Sequence, residues 1–459
     1  MNHPATPGTL AQRMRHTPYQ AYSYSYPHKA AYRSLAAPAS LEQLWAAQDR
    51  SALFAYIHIP FCEMRCGFCN LFAMARPTPA MVDRYVAQVV QQMRVLDRVL
   101  GERRFARFAL GGGTPTYLSA AQLRTLFDGA REILGIDLQH TPAGIEASPE
   151  TVTEERMAVC REMGIDRVSL GIQSFSANEM RSLARPQQNE VVARAIGHIR
   201  AAGFPTLNLD LIYGIGGQTV DSLLASIDSA LAFGPEELYL YPLYVRQHTG
   251  LGKIANRKGA ASFDPIVLNQ QGDSRMQLYE AARDHLRAQG YVQVSMRMFR
   301  APHAPSESGP SYCCQNDGMV GLGTGARSYT RDLHYSTDYA VGRADTIGII
   351  DHYLALDADS FTHAHHGFAL GPDEQRRRYV IQSLLTDPGL DPAAYTRRFG
   401  GDCMRDLPQL RELGELDLLE EGSAILRLNE RGYEYADTIG PWLASEEVRL
   451  LMADGGTAC

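Results

Sequence analysis

The sequence predicts an α/β protein: a partial (β/α)6 barrel, less than the eight units of a TIM barrel, with an N-terminal arm and a small C-terminal domain that is mainly helical or winged-helix-like. Three observations predict it. Six strand-like segments recur between residues 54 and 245, separated by segments of helical periodicity. Each polar, glycine-rich or cysteine-rich stretch follows a strand end, where parallel α/β proteins collect their chemistry. From about residue 360 the pattern changes to short helices around a small hairpin.

Taken in order, residues 1–50 are rich in Tyr, Pro, Ser and Ala and read as an irregular arm with a short helix near 40–50. The barrel is expected over 51–300. Its strands are FAYIHIPF (54–61), RFAL (107–110), AGIEASP (143–149), DRVSLGIQSF (166–175), TLNLDLIYG (206–214) and ELYLYPLYV (237–245). Its helices are predicted over 79–100, 119–132, 153–164, 189–203 and 219–234, where apolar residues recur at helical spacing. A further helix and a strand-like piece occupy 274–300. A glycine-rich extension and connection fills 301–359, and the C-terminal helical domain spans 360–459.

The chain has 459 residues, 45% hydrophobic and 21% charged, with a net charge of -7. That balance gives no reason to expect nucleic-acid binding. No apolar run is long enough for a membrane span. The polar opening lacks a secretory apolar region, and eight cysteines are too sparse for a disulfide scaffold, so a cytoplasmic location is expected.

IPFCEMRCGFCNLF (59–72) places Cys62, Cys66 and Cys69 in one loop after the first barrel strand. The other five cysteines are Cys160, Cys313, Cys314, Cys403 and Cys459. Three such thiols admit inert packing, zinc with His58 or a distant fourth ligand, or an iron–sulfur cluster. The unequal C-x3-C-x2-C spacing suits a [4Fe–4S] cluster held by three thiolates, with the fourth iron open to an external ligand.

The spacing, the preceding YIHIPFC and Phe68 before the last cysteine resemble the radical S-adenosylmethionine enzymes. Within them, the chain resembles the branch of oxygen-independent coproporphyrinogen III dehydrogenase and its related haem chaperone. The resemblance implies one [4Fe–4S] cluster on Cys62, Cys66 and Cys69, and one or two molecules of S-adenosylmethionine. It implies reductive cleavage of that cofactor to a 5′-deoxyadenosyl radical and a low-potential electron donor such as flavodoxin or ferredoxin. In GGGTPTYL (111–118), it makes Gly112, Gly113 and Thr114 the contacts for the methionine end. Glu146 in IEASPE would accept from amino or ribose donors. Gln173 in SLGIQSF and Arg185 in SLARPQ match cofactor-contacting positions. Asp210 in LDLIYG would meet ribose hydroxyls, and Tyr56 would flank adenine. GLGTGARSY resembles a glycine-rich segment of the branch, making Thr324, Gly325 and Ala326 candidates for a second cofactor molecule.

The substrate is less determined. YSYSYPHK (22–29) resembles the Tyr-Ser-Tyr-Pro arm of the coproporphyrinogen enzyme, with Tyr24, Tyr26, His28, Lys29 and Arg33 facing an aromatic or carboxylated ligand. Arg275, Arg297 and Arg300 are further candidate partners for propionates. Two departures separate the chain from the branch patterns: Cys69 is followed by Asn70-Leu71 rather than another cysteine, and the chaperone's His-Asn-x-x-Tyr-Trp signature is absent before GLG. Three activities stay open: oxidative decarboxylation of porphyrinogen propionates, C-methylation of a small or peptide-derived metabolite, and haem binding as in a chaperone.

Overall fold

The computed structural model describes residues 8–16, 18–23, 25–246, 248–258, 268–269, 272–306 and 318–455. Tyr24, Cys313, Cys314 and Cys459 lie outside them. One 13-stranded sheet organises the described residues. Its strands are β1 (Arg33–Ser40), β2 (Leu53–Ile59), β3 (Phe105–Gly112), β4 (Ala143–Ala147), β5 (Arg167–Gln173), β6 (Thr206–Tyr213) and β7 (Glu237–Pro242). They continue as β8 (Val292–Gln293), β9 (Met298–Arg300), β10 (Met319–Leu322), β11 (Arg327–Tyr329), β12 (Leu333–Ser336) and β13 (His363–Ala369). The spatial order is β1-β13-β12-β11-β10-β2-β3-β4-β5-β6-β7-β9-β8.

Strands β2 to β7 are the six anticipated ones, and they pair in parallel in chain order. A seventh parallel strand, β10, lies against β2. The flanking pairs are antiparallel, so the barrel stays open. Strand alternation divides the faces: Leu207, Leu209 and Leu211 are fully buried under the helices, while Asn208 and Asp210 point the other way, into the barrel.

The covering helices are Pro79–Leu100, Ala120–Glu132, Glu154–Glu162, Asn189–Ala201 and Val220–Leu231. Four begin at a side-chain cap, from Thr78, Ser119, Thr153 and Thr219. Each such cap satisfies a backbone N–H that the first turn leaves open, worth about 1 kcal/mol. Of all the helices, only Pro79–Leu100 is long, and none is long and apolar enough to cross a membrane among the described residues.

The arm is more ordered than its composition suggests. Leu10–His16 and Leu41–Ala46 are helical, and β1 pairs antiparallel with β13. β1 sits at the sheet edge, where Pro38 withholds no ladder bond. Leu10, Met14, Tyr26 and Tyr32 join an apolar cluster with Ile381, Leu384, Tyr395 and Trp442. The arm thus packs on the C-terminal helices as well as on the barrel. Another helix the sequence did not announce, Arg343–Ala355, follows the glycine-rich turn.

Candidate functional site

After β2 the chain continues through Pro60 into Phe61–Cys62, which pairs in parallel with Met74–Ala75. The intervening loop carries Cys66 and Cys69. Cys69 N–H donates to the Cys66 carbonyl at 3.2 Å, and Gly67 N–H donates to the Leu183 carbonyl at 3.0 Å. The Gly67 carbonyl accepts from Leu251 N–H at 2.8 Å. Arg65 donates to the carbonyls of Ala73 and Val341. The loop is therefore held at several points along its length.

Cys62, Cys66 and Cys69 line one cavity together with Gly113, Thr114, Glu146, Gln173, Arg185 and Asp210. Nine of the anticipated site residues thus meet at the C-terminal ends of β2 to β6. The glycine-rich turn is pinned to the cysteine strand: Gly113 N–H donates to the Ile59 carbonyl and Thr114 N–H to the Phe61 carbonyl, each at 2.8 Å. The Thr114 hydroxyl donates to Cys62 Sγ at 3.4 Å. Gly112 has φ +112°, a conformation that favours glycine, and its N–H donates to Glu146 Oε2 at 2.9 Å.

A bulge between Gly171 and Gln173 ends β5, and Gln173 adopts φ +73°. Arg185 donates to the Gly171 carbonyl at 2.6 Å and the Ser148 hydroxyl at 3.4 Å, and lies 3.8 Å from Cys66 Sγ. Asp210 accepts from Asn208 Nδ2 at 2.7 Å and from the Ser169 hydroxyl at 3.5 Å. Burial pushes the Asp210 carboxyl up to about 7, with Glu146 adding to the rise and Asn208, Arg167 and Ser169 opposing it. Glu146 is raised as well, again through burial, against the pull of Gly112 N–H and Arg167.

The thiols show the same desolvation. Burial pushes Cys62 up to about 12 despite the Thr114 hydroxyl, and burial with neighbouring Cys66 raises Cys69. Thiolates there call for cationic charge, which bound iron would supply. Among the described residues, no three Cys, His, Asp or Glu side chains converge to hold a single metal ion. His58 Nε2–H donates to the Phe72 carbonyl, 2.9 Å away, and burial lowers the ring's pKa to about 4. Three thiols around one cavity wall fit a multi-iron cluster better than a lone ion. The cavity wall also offers Gln187 Oε1, a buried acceptor with no partner among the described residues.

Tyr56 and Gly112 stand just behind this cavity. The Tyr56 hydroxyl is 3.4 Å from His58 Nδ1. Thr324, Gly325 and Ala326 form the turn between β10 and β11 and do not line the cysteine cavity. Gly325 N–H donates to the Thr337 hydroxyl at 3.0 Å, and Thr324 Oγ1 lies 3.0 Å from the same oxygen. That turn is thus fastened by the protein itself.

The candidate propionate partners have internal roles. Arg275 pairs with Asp273, Arg297 pairs with Asp437 at 2.5 Å, and Arg300 donates to the Pro305 carbonyl at 2.5 Å. Arg33 donates to the carbonyls of Ala30, Tyr32 and Leu451. The Tyr26 hydroxyl bonds Glu374 on a C-terminal helix. Lys29 Nζ lies 3.3 Å over the Tyr339 ring, whose hydroxyl donates to the Asn70 carbonyl in the cysteine loop. Lys29 thus meets the cysteine loop through Tyr339.

Several cavity residues escaped the sequence reading, including Ser148, Ser169 and Gly171. Gln173 could have exposed Ser169 and Gly171, because the three recur at the two-residue period of a strand.

The sequence pattern of the Radical SAM superfamily matches residues 56–230. A heme chaperone HemW from Mycobacterium tuberculosis is 31% identical over 280 residues, covering 60% of this chain and 68% of that protein. An oxygen-independent coproporphyrinogen III oxidase from Pseudomonas aeruginosa is 29% identical over 383 residues, covering 79% of this chain and 78% of that one. Among solved structures, coproporphyrinogen III oxidase (HemN) from Escherichia coli superposes with a TM-score of 0.74. It shares 22% identity and spans 94% of this chain and 98% of that chain, a likeness of fold.

Proposed function

The chain belongs to the radical S-adenosylmethionine superfamily and, within it, to the family of HemN and HemW, and from that premise we propose that Cys62, Cys66 and Cys69 hold one [4Fe–4S] cluster with S-adenosylmethionine beside it. When bound, the pair would supply one-electron cleavage of a carbon–sulfur bond, giving methionine and a 5′-deoxyadenosyl radical. The convergence of three thiols, the Arg185 guanidinium and the Glu146 and Asp210 carboxylates on a single cavity is the observation that supports this reading.

In it, Gly112, Gly113 and Thr114 present close backbone and a hydroxyl to the methionine end. Glu146 accepts from the amino or ribose donors, and Asp210 accepts from ribose hydroxyls. Arg185 offers positive charge, Gln173 an amide, and Tyr56 an aromatic face for adenine. Asp210, raised to about 7 by burial, becomes a better acceptor once a cationic ligand favours its ionised form. A low-potential flavodoxin or ferredoxin is the electron donor in this reading. One cofactor molecule per chain is assigned, because Thr324–Ala326 lie off the cysteine cavity and the Gly325 N–H and Thr324 hydroxyl already meet Thr337.

The substrate proposed is a porphyrinogen. Its propionate would give a hydrogen atom from the β-carbon to the 5′-deoxyadenosyl radical, then lose carbon dioxide and pass one electron to an external one-electron acceptor, leaving a vinyl group. The relative named coproporphyrinogen III oxidase supports this; the relative named heme chaperone favours haem binding as the second reading. Anaerobically reconstituted and reduced protein, given S-adenosylmethionine, is expected to form 5′-deoxyadenosine. Adding coproporphyrinogen III is expected to release carbon dioxide and form vinyl product. Tight, stoichiometric haem capture without that product would replace the oxidase reading with the chaperone one, and a methylated product would replace both.

A further inference from the structure

Glu179 is a buried carboxylate, 3% exposed, that no catalytic reading has used. Three other buried carboxylates pair with arginine: Glu236 with Arg200, Glu237 with Arg167 and Asp437 with Arg297. Glu179 instead accepts three neutral donors. The Ser174 hydroxyl and Gln218 Nε2 reach its Oε2 at 2.6 Å and 3.0 Å, and the Ser222 hydroxyl reaches Oε1 at 2.6 Å. Removing such an acceptor leaves several buried donors unsatisfied at once.

Those donors come from segments that end at the cavity. Ser174 directly follows Gln173, the residue at φ +73°. Gln218 also accepts through Oε1 from Gly214 and Ile215 N–H, at 2.8 Å and 3.3 Å, which fixes the turn following β6 and hence Asp210's strand end. Glu179 itself lies in the helix Ala177–Ser182. Its own carbonyl accepts from Leu183 N–H at 3.0 Å, and Arg185 N–H donates to the Met180 carbonyl at 3.0 Å. The Leu183 carbonyl in turn accepts from Gly67 N–H, between Cys66 and Cys69, at 3.0 Å. One carboxylate therefore ties together the ends of β5 and β6, and the backbone of the helix that bears it carries the Arg185 turn and meets the cysteine loop at Leu183.

We propose that Glu179 is a positioning residue that sets Gln173, Arg185 and Asp210 relative to the cysteine loop, so that S-adenosylmethionine binding depends on it while cluster assembly does not. The cysteine loop has its own anchors at Phe61–Cys62, Arg65 and Gly67, which do not pass through Glu179's side chain. The inference rests on the proposed cofactor reading of the cavity.

The test uses the full chain with its iron–sulfur centre reconstituted, as wild type, Glu179→Gln and Glu179→Asp. Glu179→Gln keeps the shape but sets its amide against Gln218 Nε2; Glu179→Asp keeps the charge on a shorter stem. Iron and sulfide content, thermal unfolding, S-adenosylmethionine affinity by equilibrium dialysis, and the shift that this ligand causes in the reduced centre's electron paramagnetic resonance spectrum are measured. Glu179→Gln is expected to retain wild-type iron, bind S-adenosylmethionine at least tenfold more weakly and show a reduced spectral shift, with Glu179→Asp intermediate. A Glu179→Gln protein with wild-type affinity and spectral shift overturns the inference. So does one that loses iron in proportion to its affinity, which would mark a merely structural role. A wild-type centre whose spectrum ignores S-adenosylmethionine overturns the cofactor reading itself, separately from the variants.

Discussion

Gly113→Ala tests how tightly the glycine turn is built onto the cysteine strand. A Cβ at Gly113 would lie 2.8 Å from the Phe61 carbonyl oxygen, 2.9 Å from the Ile59 carbonyl oxygen and 3.0 Å from Cys62 Sγ. Ordinary contacts need about 3.5 Å, so the methyl must displace its neighbours by about half an ångström. None of them is the tip of a flexible side chain. The two carbonyls are the acceptors for Thr114 and Gly113 N–H, at 2.8 Å each, so retreat stretches the bonds that hold the turn. Overpacking of this kind costs about 1–3 kcal/mol, and the same displacement moves the first cysteine away from its partners. Gly113→Ala is expected to unfold at lower temperature and to take up less iron per chain on reconstitution. Denaturant unfolding of the iron-free protein separates the first effect from the second, measured by iron analysis. A variant with wild-type stability and full iron would refute the steric reasoning.

Other perturbations have calculable directions. Gly197→Ala, in the helix Asn189–Ala201 with open space where the methyl would go, is expected to stabilise by about 0.5–1 kcal/mol in denaturant unfolding. Cys62→Ala, Cys66→Ala and Cys69→Ala should each lose the iron–sulfur absorption, while Cys160→Ala, at a fully buried site in a helix, should retain it. Asp437→Ala leaves Arg297 buried, since the pair's side chains are only 1% and 4% exposed. It should cost about 3–5 kcal/mol in denaturant unfolding. Arg297→Met combined with Asp437→Leu should recover most of that loss. In the ligand-free protein Asp210 titrates at about 7, against about 4 when unfolded. The folded state therefore keeps the proton longer, and this group's stabilisation is full below about pH 4, declines as pH rises to about 7 and is flat beyond. Asp210→Asn should remove that slope from the stability–pH profile.

What sequence could and could not reveal follows from the range of the interactions involved. The helix 79–100 was legible to its ends because Thr78, Pro79 and a regular apolar stripe all act locally. Strands β2 to β7 were legible because one face of each is apolar. β1 was not, since its Ala, Ser and Pro have little strand preference and pairing with β13, more than 300 residues away, holds it. The direction of β10 was equally invisible, because small and apolar residues fit parallel and antiparallel neighbours alike. At the site, the cysteine spacing, the strand-end rule and the family resemblance together pointed to residues that line one cavity. For the arginines, sequence offered charge but not partners: Arg275 and Arg300 meet Asp273 and the Pro305 carbonyl close by in the chain, while Arg297 meets Asp437 only through folding.

Glu179 and Gln173 illustrate why such a site resists local rules. Gln173 and Ala184 are two of four non-glycine residues with positive φ among those described, and each carries a backbone conformation costing about 1 kcal/mol or more. They bracket the helix that bears Glu179, and Arg185 follows immediately. A residue chosen for stability alone at position 173 would be glycine, which takes this conformation without strain. The amide there is retained at the cavity wall, and the surrounding structure must hold it against its own preference. The three donors gathered on Glu179 are available to oppose that strain, joining segments separated by more than 40 residues. Local propensity and the polar network therefore pull in opposite directions at this strand end, and the network prevails because it is buried and satisfied at each donor.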